Sequence, residues 1–127
     1  MNRAAARLLV FKLGGTRELP PLAASSTAVV TEPPPLMASE ATVKRGAELF
    51  GNNCAVCHGQ LAVGGVKDLR FMDAKTHASF DDIVLNGIRA DRGMASFAKL
   101  LNREDADAIH AYLISRAQED WGHQKEH

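Results

Sequence analysis

The stretch Cys-Ala-Val-Cys-His, Cys54 to His58, holds the chain's only two cysteines, three positions apart, with a histidine straight after the second. Two thiols at that spacing can add across the two vinyl groups of one porphyrin as thioethers. The imidazole that follows then lies under the ring, within reach of its iron. C-x-x-C-H is the attachment signature for c-type haem, and histidine is the usual proximal ligand. The motif therefore predicts one covalent haem c with its iron, held by Cys54, Cys57 and His58.

An iron held by His58 either keeps an open sixth position, which suits gas binding or peroxide chemistry, or takes a second protein ligand. Methionine opposite histidine raises the potential and suits electron transfer. Met1 and Met37 precede the motif, in segments with little sign of fixed structure. Met72, in LRFMD, follows His58 by only 14 positions and reads as core or surface filler. Met94 follows by 36, in DRGMASF, a loop between two helical patterns where Gly93 lets the backbone come close and Phe97 can pack beside the ring. Given the C-x-x-C-H, Met94 is the expected ligand and His77 its rival. His110 falls on the polar side of the last helical pattern and reads as solvated. Cys54, Cys57, His123 and His127 also form a two-Cys, two-His set, but the gap between the pairs is far longer than the ~12–15 of zinc sites. A thioredoxin-type C-x-x-C needs a βαβ setting, which this region lacks.

Helical patterns must position these residues. Ser39 and Thr42 are candidate N-caps for a first helix carrying Val43, Ala47, Leu49 and Phe50, with Gly51 near its end. The haem motif follows directly, then a glycine-rich loop, residues 59–67, with little regular structure. Ser79-Phe80-Asp81-Asp82 resembles a capping box, and Phe80, Ile83, Val84 and Gly87 follow at helical spacing. A last helix begins at Asn102, with Glu104 and Asp105 in its dipole-favoured first turn and Ala106, Ile109, Tyr112, Leu113 and Ala117 on one face. The core of such a domain is thin, and domains of this size often need a staple or a bound group. A haem would supply it.

The rest of the chain is divided as follows. Residues 1–19 form a strand-like arm: Leu8, Val10 and Lys12 alternate with Leu9, Phe11 and Leu13, closed by Gly14-Gly15. The apolar run of that arm is four residues, against the ~7–15 of a signal-peptide core. Residues 20–38 hold the chain's five prolines and read either as an extended linker, reaching up to roughly 60 Å at ~3.1 Å per residue, or as a disordered tail. Residues 39–120 are the compact domain, and 121–127 a polar tail. Lys+Arg and Asp+Glu balance at 15 each, so nothing points to nucleic acid or to an anionic surface. No apolar run approaches the ~20 residues of a transmembrane helix.

The strings GAELFGNNCAVCHG, GGVKDLR, FDDIVLNGIRADRGMASF and EDADAIHAYLISRAQED resemble a class I cytochrome c domain. More narrowly, the chain from about Ala4 to Asp120 is similar to the C-terminal haem domain of quinohaemoprotein alcohol dehydrogenases. In those enzymes a β-propeller holding pyrroloquinoline quinone (PQQ) precedes a proline-rich linker and this domain, and RLLVFKLGG resembles the last propeller strand. The resemblance implies an all-α fold, three to four helices around one covalently bound haem with an extended N-terminal arm. It also implies that Cys54 and Cys57 carry the haem, that His58 and Met94 bind the iron, and that Arg70 lies near a haem propionate. Two departures stand out. Lys67 replaces the family's proline before Asp-Leu-Arg, which puts the hydrogen bond steadying His58 in question. Ala95 replaces the proline after the methionine, which would loosen the Met94 loop.

No propeller is present in this sequence, so no quinone site and no dehydrogenase active site. The chain by itself is therefore expected to be no enzyme but an electron carrier, as a fragment, a haem subunit or a free-standing redox carrier. Its expected partners are a PQQ-dependent dehydrogenase domain or subunit as donor and a later carrier as acceptor. The expected compartment is the periplasm, since c-type haem is attached outside the cytoplasm. A five-coordinate peroxidase or gas sensor, and a haem-free zinc or interaction module, are the competing readings.

Overall fold

A computed structural model of the chain describes residues 12–16, 18 and 31–125. These contain five α-helices and no strand: α1 (Glu40–Asn53), α2 (Ala55–His58), α3 (Ala74–Ala78), α4 (Phe80–Val84) and α5 (Arg103–Lys125). Short 3₁₀ turns at Gln60–Ala62, Leu69–Phe71 and Ala90–Arg92 punctuate the loops. The fold is the expected small all-α one, with two one-turn helices beyond the three that periodicity marked. The strand-like residues 7–11 and most of the proline-rich stretch lie outside the described residues. What is described of the arm is a turn, closed by the Gly15 N–H on the Lys12 carbonyl at 3.0 Å.

Helix α1 starts where its cap dictates. The Ser39 hydroxyl accepts from the Thr42 N–H at 3.2 Å, satisfying one of the orphan donors of the first turn. Helix α5 starts with a reciprocal pair: Asn102 Oδ1 accepts from the Asp105 N–H at 2.9 Å, and Asp105 Oδ2 accepts from the Asn102 N–H at 3.0 Å. Arg45 of α1 then reaches Asp105 at 2.5 Å, tying the two helices at that end. Ser79 precedes α4 as expected, but its side chain makes no capping bond. Helix α3 gave no periodic signal; its start is set by Asp73, whose carboxylate accepts from the Thr76 N–H at 2.7 Å.

Helices α1 and α5 form the backbone of the core, and one residue lets them approach. A Cβ at Gly46 would lie 1.9 Å from the Ala108 carbonyl oxygen, so only glycine fits. Phe50 and Tyr112 then meet with ring centroids 5.4 Å apart, and Phe50, Ile109 and Leu113 are the largest fully buried side chains. Helix α5 runs through Lys125, past the Asp120 boundary assigned from sequence. Pro33 and Pro34 are half-buried, and Gln118 of α5 donates to the Pro34 carbonyl at 2.8 Å, so the end of the proline-rich stretch lies against α5.

His110 is not solvated. Its ring stacks on Phe80 at 4.3 Å, and His77 Nδ1 lies 2.8 Å from His110 Nε2. Burial pushes both imidazoles below their ordinary value, His77 adding to the effect on His110, against the pull of Asp73 on the first and of Asp81 and Asp107 on the second. A depressed basic group favours the fold while neutral, because the unfolded chain, titrating near ~6.5, takes up protons first. Stability is therefore complete above that value and falls as pH drops through the lower folded-state values. Thermal melts of the haem-loaded protein between pH 7.5 and 5 should show that decline, and it should be shallower in His77→Gln. Parallel curves for the two proteins would show that the pair does not carry the effect.

Candidate haem site

The motif sits on a tight corner. The Cys54 N–H closes α1 on the Phe50 carbonyl at 2.8 Å, and the His58 N–H closes α2 on the Cys54 carbonyl at 3.0 Å. The glycine-rich loop folds back beneath this corner. A Cβ at Gly65 (φ +63°) would lie 2.5 Å from the Cys57 carbonyl oxygen, and one at Gly59 (φ +79°) 2.2 Å from that of Val63. Positive φ and close backbone approach both call for glycine here. The return is held by the Val66 N–H on the Cys57 carbonyl at 2.8 Å.

That return puts the Lys67 carbonyl 3.2 Å from His58 Nδ1. A carbonyl only accepts, so Nδ1 carries the proton and Nε2 is the free ring nitrogen. This is the arrangement in which a backbone carbonyl fixes the tautomer of a metal-binding histidine. The bond that Lys67 put in question is present, because any residue at that position supplies the carbonyl.

A cavity of about 340 Å³ opens beside the corner. Cys54, His58 and Met94 all line it, and most of its wall is apolar, with Phe50, Leu69, Phe80, Ile83, Ile109 and Leu113 among its members. Met72 lines it too, as a buried core residue. Cys57 is exposed and does not line the cavity. Burial, with Cys57 close by, pushes the Cys54 thiol up to about 11, so it is protonated at neutral pH. No group of three or more His, Cys, Asp or Glu that could hold a metal occurs among the described residues; His127 lies outside them. His77, the rival ligand, bonds to His110 and does not line the cavity.

The Met94 loop is tied despite Ala95. The Met94 N–H reaches the Arg89 carbonyl at 3.2 Å, the Phe97 N–H reaches the Val84 carbonyl at 2.8 Å, and the Ser96 hydroxyl donates to the Leu85 carbonyl. Phe97 packs against the hydrophobic core.

Arg70 lies elsewhere. It is buried, its Nε and Nη2 donate to Asp68 at 3.0 and 2.9 Å, its Nη1 to Asp120 at 3.1 Å, and it does not line the cavity. Burial would raise the Asp68 carboxyl, but Arg70 and the Gly64 N–H hold it below the usual range. This cluster pins the Leu69–Phe71 turn to the end of α5. Among the described residues the arginines that line the cavity are Arg89 and Arg92, which the sequence reading did not single out. The signal was there in IRADRGM, two cations just before the candidate ligand.

Residues 41–113 match the family model described as cytochrome c oxidase, cbb3-type, subunit III. The chain belongs to this cytochrome c family. Among relatives, the quinohemoprotein alcohol dehydrogenase ADH IIB of Pseudomonas putida is 39% identical over 117 residues, covering 91% of this chain and 17% of that protein. ADH-IIG of the same species is 40% identical over 114 residues, 88% of this chain and 16% of the relative. Its solved structure superposes with a TM-score of 0.71 over 87% of this chain and 16% of that one. Cytochrome c6 of Rippkaea orientalis is 32% identical over 92 residues, 69% of this chain and 81% of the relative. The chain thus spans about a sixth of the quinohaemoproteins and most of the small cytochrome. The family carries covalent haem c with iron, and the residues here fit that group. Two thiols flank the corner, one ring nitrogen of His58 is free, and a thioether lines the same largely apolar cavity.

Proposed function

We propose that this cytochrome c domain is a one-electron carrier, taking electrons from a PQQ-dependent alcohol dehydrogenase-type propeller domain or subunit and passing them to a later carrier. The bound haem supplies a one-electron Fe(III)/Fe(II) couple. Cys54 and Cys57 tether it, His58 offers Nε2 while the Lys67 carbonyl holds its ring, and Met94 provides the second ligand. The single observation that carries this reading is that His58 and Met94 line one cavity, with His58 Nδ1 against the Lys67 carbonyl and Nε2 left for a metal. A tethered thioether also argues for a filled rather than an open sixth position.

The likeness to quinohaemoprotein dehydrogenases over 88–91% of this chain supports the choice of donor, and with c-type haem it supports a periplasmic setting. No described helix is long and apolar enough to cross a membrane. A second reading, a free-standing carrier for another dehydrogenase, is favoured by the match to 81% of a cytochrome c6. Stopped-flow mixing of the oxidised holoprotein with a substrate-reduced quinoprotein alcohol dehydrogenase lacking its own haem separates the two. Rapid, saturable reduction of one haem per chain is the expected result. Reduction no faster than with an unrelated cytochrome would leave the free carrier standing and overturn the dehydrogenase assignment.

A further inference from the structure

Six arginines lie between residues 31 and 125, and their partners divide them sharply. Arg45 pairs with Asp105, Arg70 with Asp68 and Asp120, Arg103 with Asp81, and Arg116 with Glu119. Arg89 and Arg92 make no ion pair with any described carboxylate. They are also the two arginines that line the cavity. With Lys67 they make every charged side chain of its wall cationic among the described residues, none of whose aspartates or glutamates lines it.

The nearest acidic influence on Arg89 does not occupy it. Asp73 feels the Arg89 charge, but its carboxylate is exposed and engaged in capping α3 through Thr76. Arg89 itself donates through Nη2 to the Thr76 hydroxyl at 3.2 Å, which leaves most of a five-donor fork uncommitted. Arg92 is exposed at the end of its 3₁₀ turn, and Gly93, in the left-handed region (φ +89°), turns the chain from there into Met94. Arg89 is half-buried and Arg92 exposed, and neither meets a described carboxylate, so the rim of this largely apolar cavity presents two guanidinium groups to an anion.

The guest predicted for this cavity carries two carboxylates on its edge, and planar guanidinium groups are the natural partners of carboxylates. We propose that Arg89 and Arg92 are the positioning residues that hold the two haem carboxylates, with the Thr76 hydroxyl orienting Arg89. Arg70, the residue expected for this role, instead holds Asp68 and Asp120. The assignment rests on the haem-carrier reading and names the residues that orient the group within it. The Met94 loop and the carboxylate anchor are then one segment, residues 89–94, so the sixth ligand and the propionate contacts are set by the same short stretch of backbone.

The test uses haem-loaded full chain, with haem carboxylates carbon-13 labelled. Midpoint potentials are measured from pH 5 to 8, with redox-difference infrared spectra of the labelled carboxylates. In Arg89→Gln/Arg92→Gln, loss of two cations should shift the couple toward Fe(III) by about tenfold, ~59 mV for one electron. The carboxylates, no longer held ionised, should titrate inside the window, so the potential climbs as pH falls and their infrared bands move. His77 and His110 titrate alike in both proteins, so the difference between the two profiles is the readout. Arg89→Lys/Arg92→Lys should restore the potential, and Arg103→Gln, paired with Asp81 on the exposed surface, should change neither. If the double Gln variant takes up no haem, the single Gln variants give the same shifts in smaller measure. Unmoved carboxylate bands with parallel pH profiles overturn the anchor while leaving the carrier reading intact. A wild-type chain that attaches no haem overturns both.

Discussion

Cys54→Ser/Cys57→Ser should lose its haem to acidified organic solvent, whereas the unmutated chain should keep it on the polypeptide. Thioethers survive that extraction; coordination by a histidine and a methionine alone does not, since acid protonates the imidazole. The same variant, stripped of haem, should also lose most of its far-ultraviolet helix signal. A cavity of about 340 Å³ left without its guest costs up to ~8 kcal/mol at ~24 cal/mol per Å³, an upper bound because the cleft opens to solvent. Small domains are stable by only ~5–15 kcal/mol in total. Helices α2, α3 and α4 are four or five residues long, and such pieces do not persist alone in water. What remains is the α1–α5 crossing at Gly46, with Phe50 against Tyr112 and the Arg45–Asp105 pair. Haem that extracts freely from the unmutated chain would sink covalent attachment. A cooperative, strongly helical haem-free form would show instead that this crossing suffices.

The legible parts of the fold were those written in short spacings. Ser39 and Asn102 announce α1 and α5 because a cap is a bond across three residues. The C-x-x-C-H corner is likewise local, and its chemistry follows from its order. What escaped is mostly non-local or backbone-made. Helix α3 is a single turn held by one Asp73 bond, too short for any period to show. The His77–His110 contact spans 33 positions, and a histidine on the polar side of a helix gives no hint that a second one will cover it. The Lys67 carbonyl has no side-chain signature at all; only the loop path through Gly59 and Gly65 brings it to His58. Arg70 shows the opposite difficulty. Its type suited a propionate, but Asp68 two positions earlier was a nearer partner, and Asp120, fifty positions later, completed the set.

On the proposed ligation Met94 decides the functional class, and its removal has the largest expected effect on the iron. A thioether is soft and neutral and favours Fe(II), so Met94 opposite His58 should give low-spin iron with a raised potential and no free site. The oxidised protein should show the weak red charge-transfer band of sulfur on ferric haem, and the reduced protein should not bind carbon monoxide readily. Met94→Ala should abolish that band, open the iron to carbon monoxide, and lower the potential by two tenfold steps or more, ~59 mV each. The fold should tolerate the change, because backbone and Ser96 bonds and the packing of Phe97 still hold the loop when the contacts of Met94 with the core are trimmed. Met72→Leu is the discriminating control. Met72 lines the same cavity and is only 8% exposed, so it too could reach a guest, but as core its replacement by a residue of similar volume should cost under ~1.5 kcal/mol and leave the band in place. Loss of the band in Met72→Leu but not in Met94→Ala would exchange the two roles. An unmutated protein that lacks the band and binds carbon monoxide at once has an open iron, and the peroxidase or sensor reading then replaces the electron carrier.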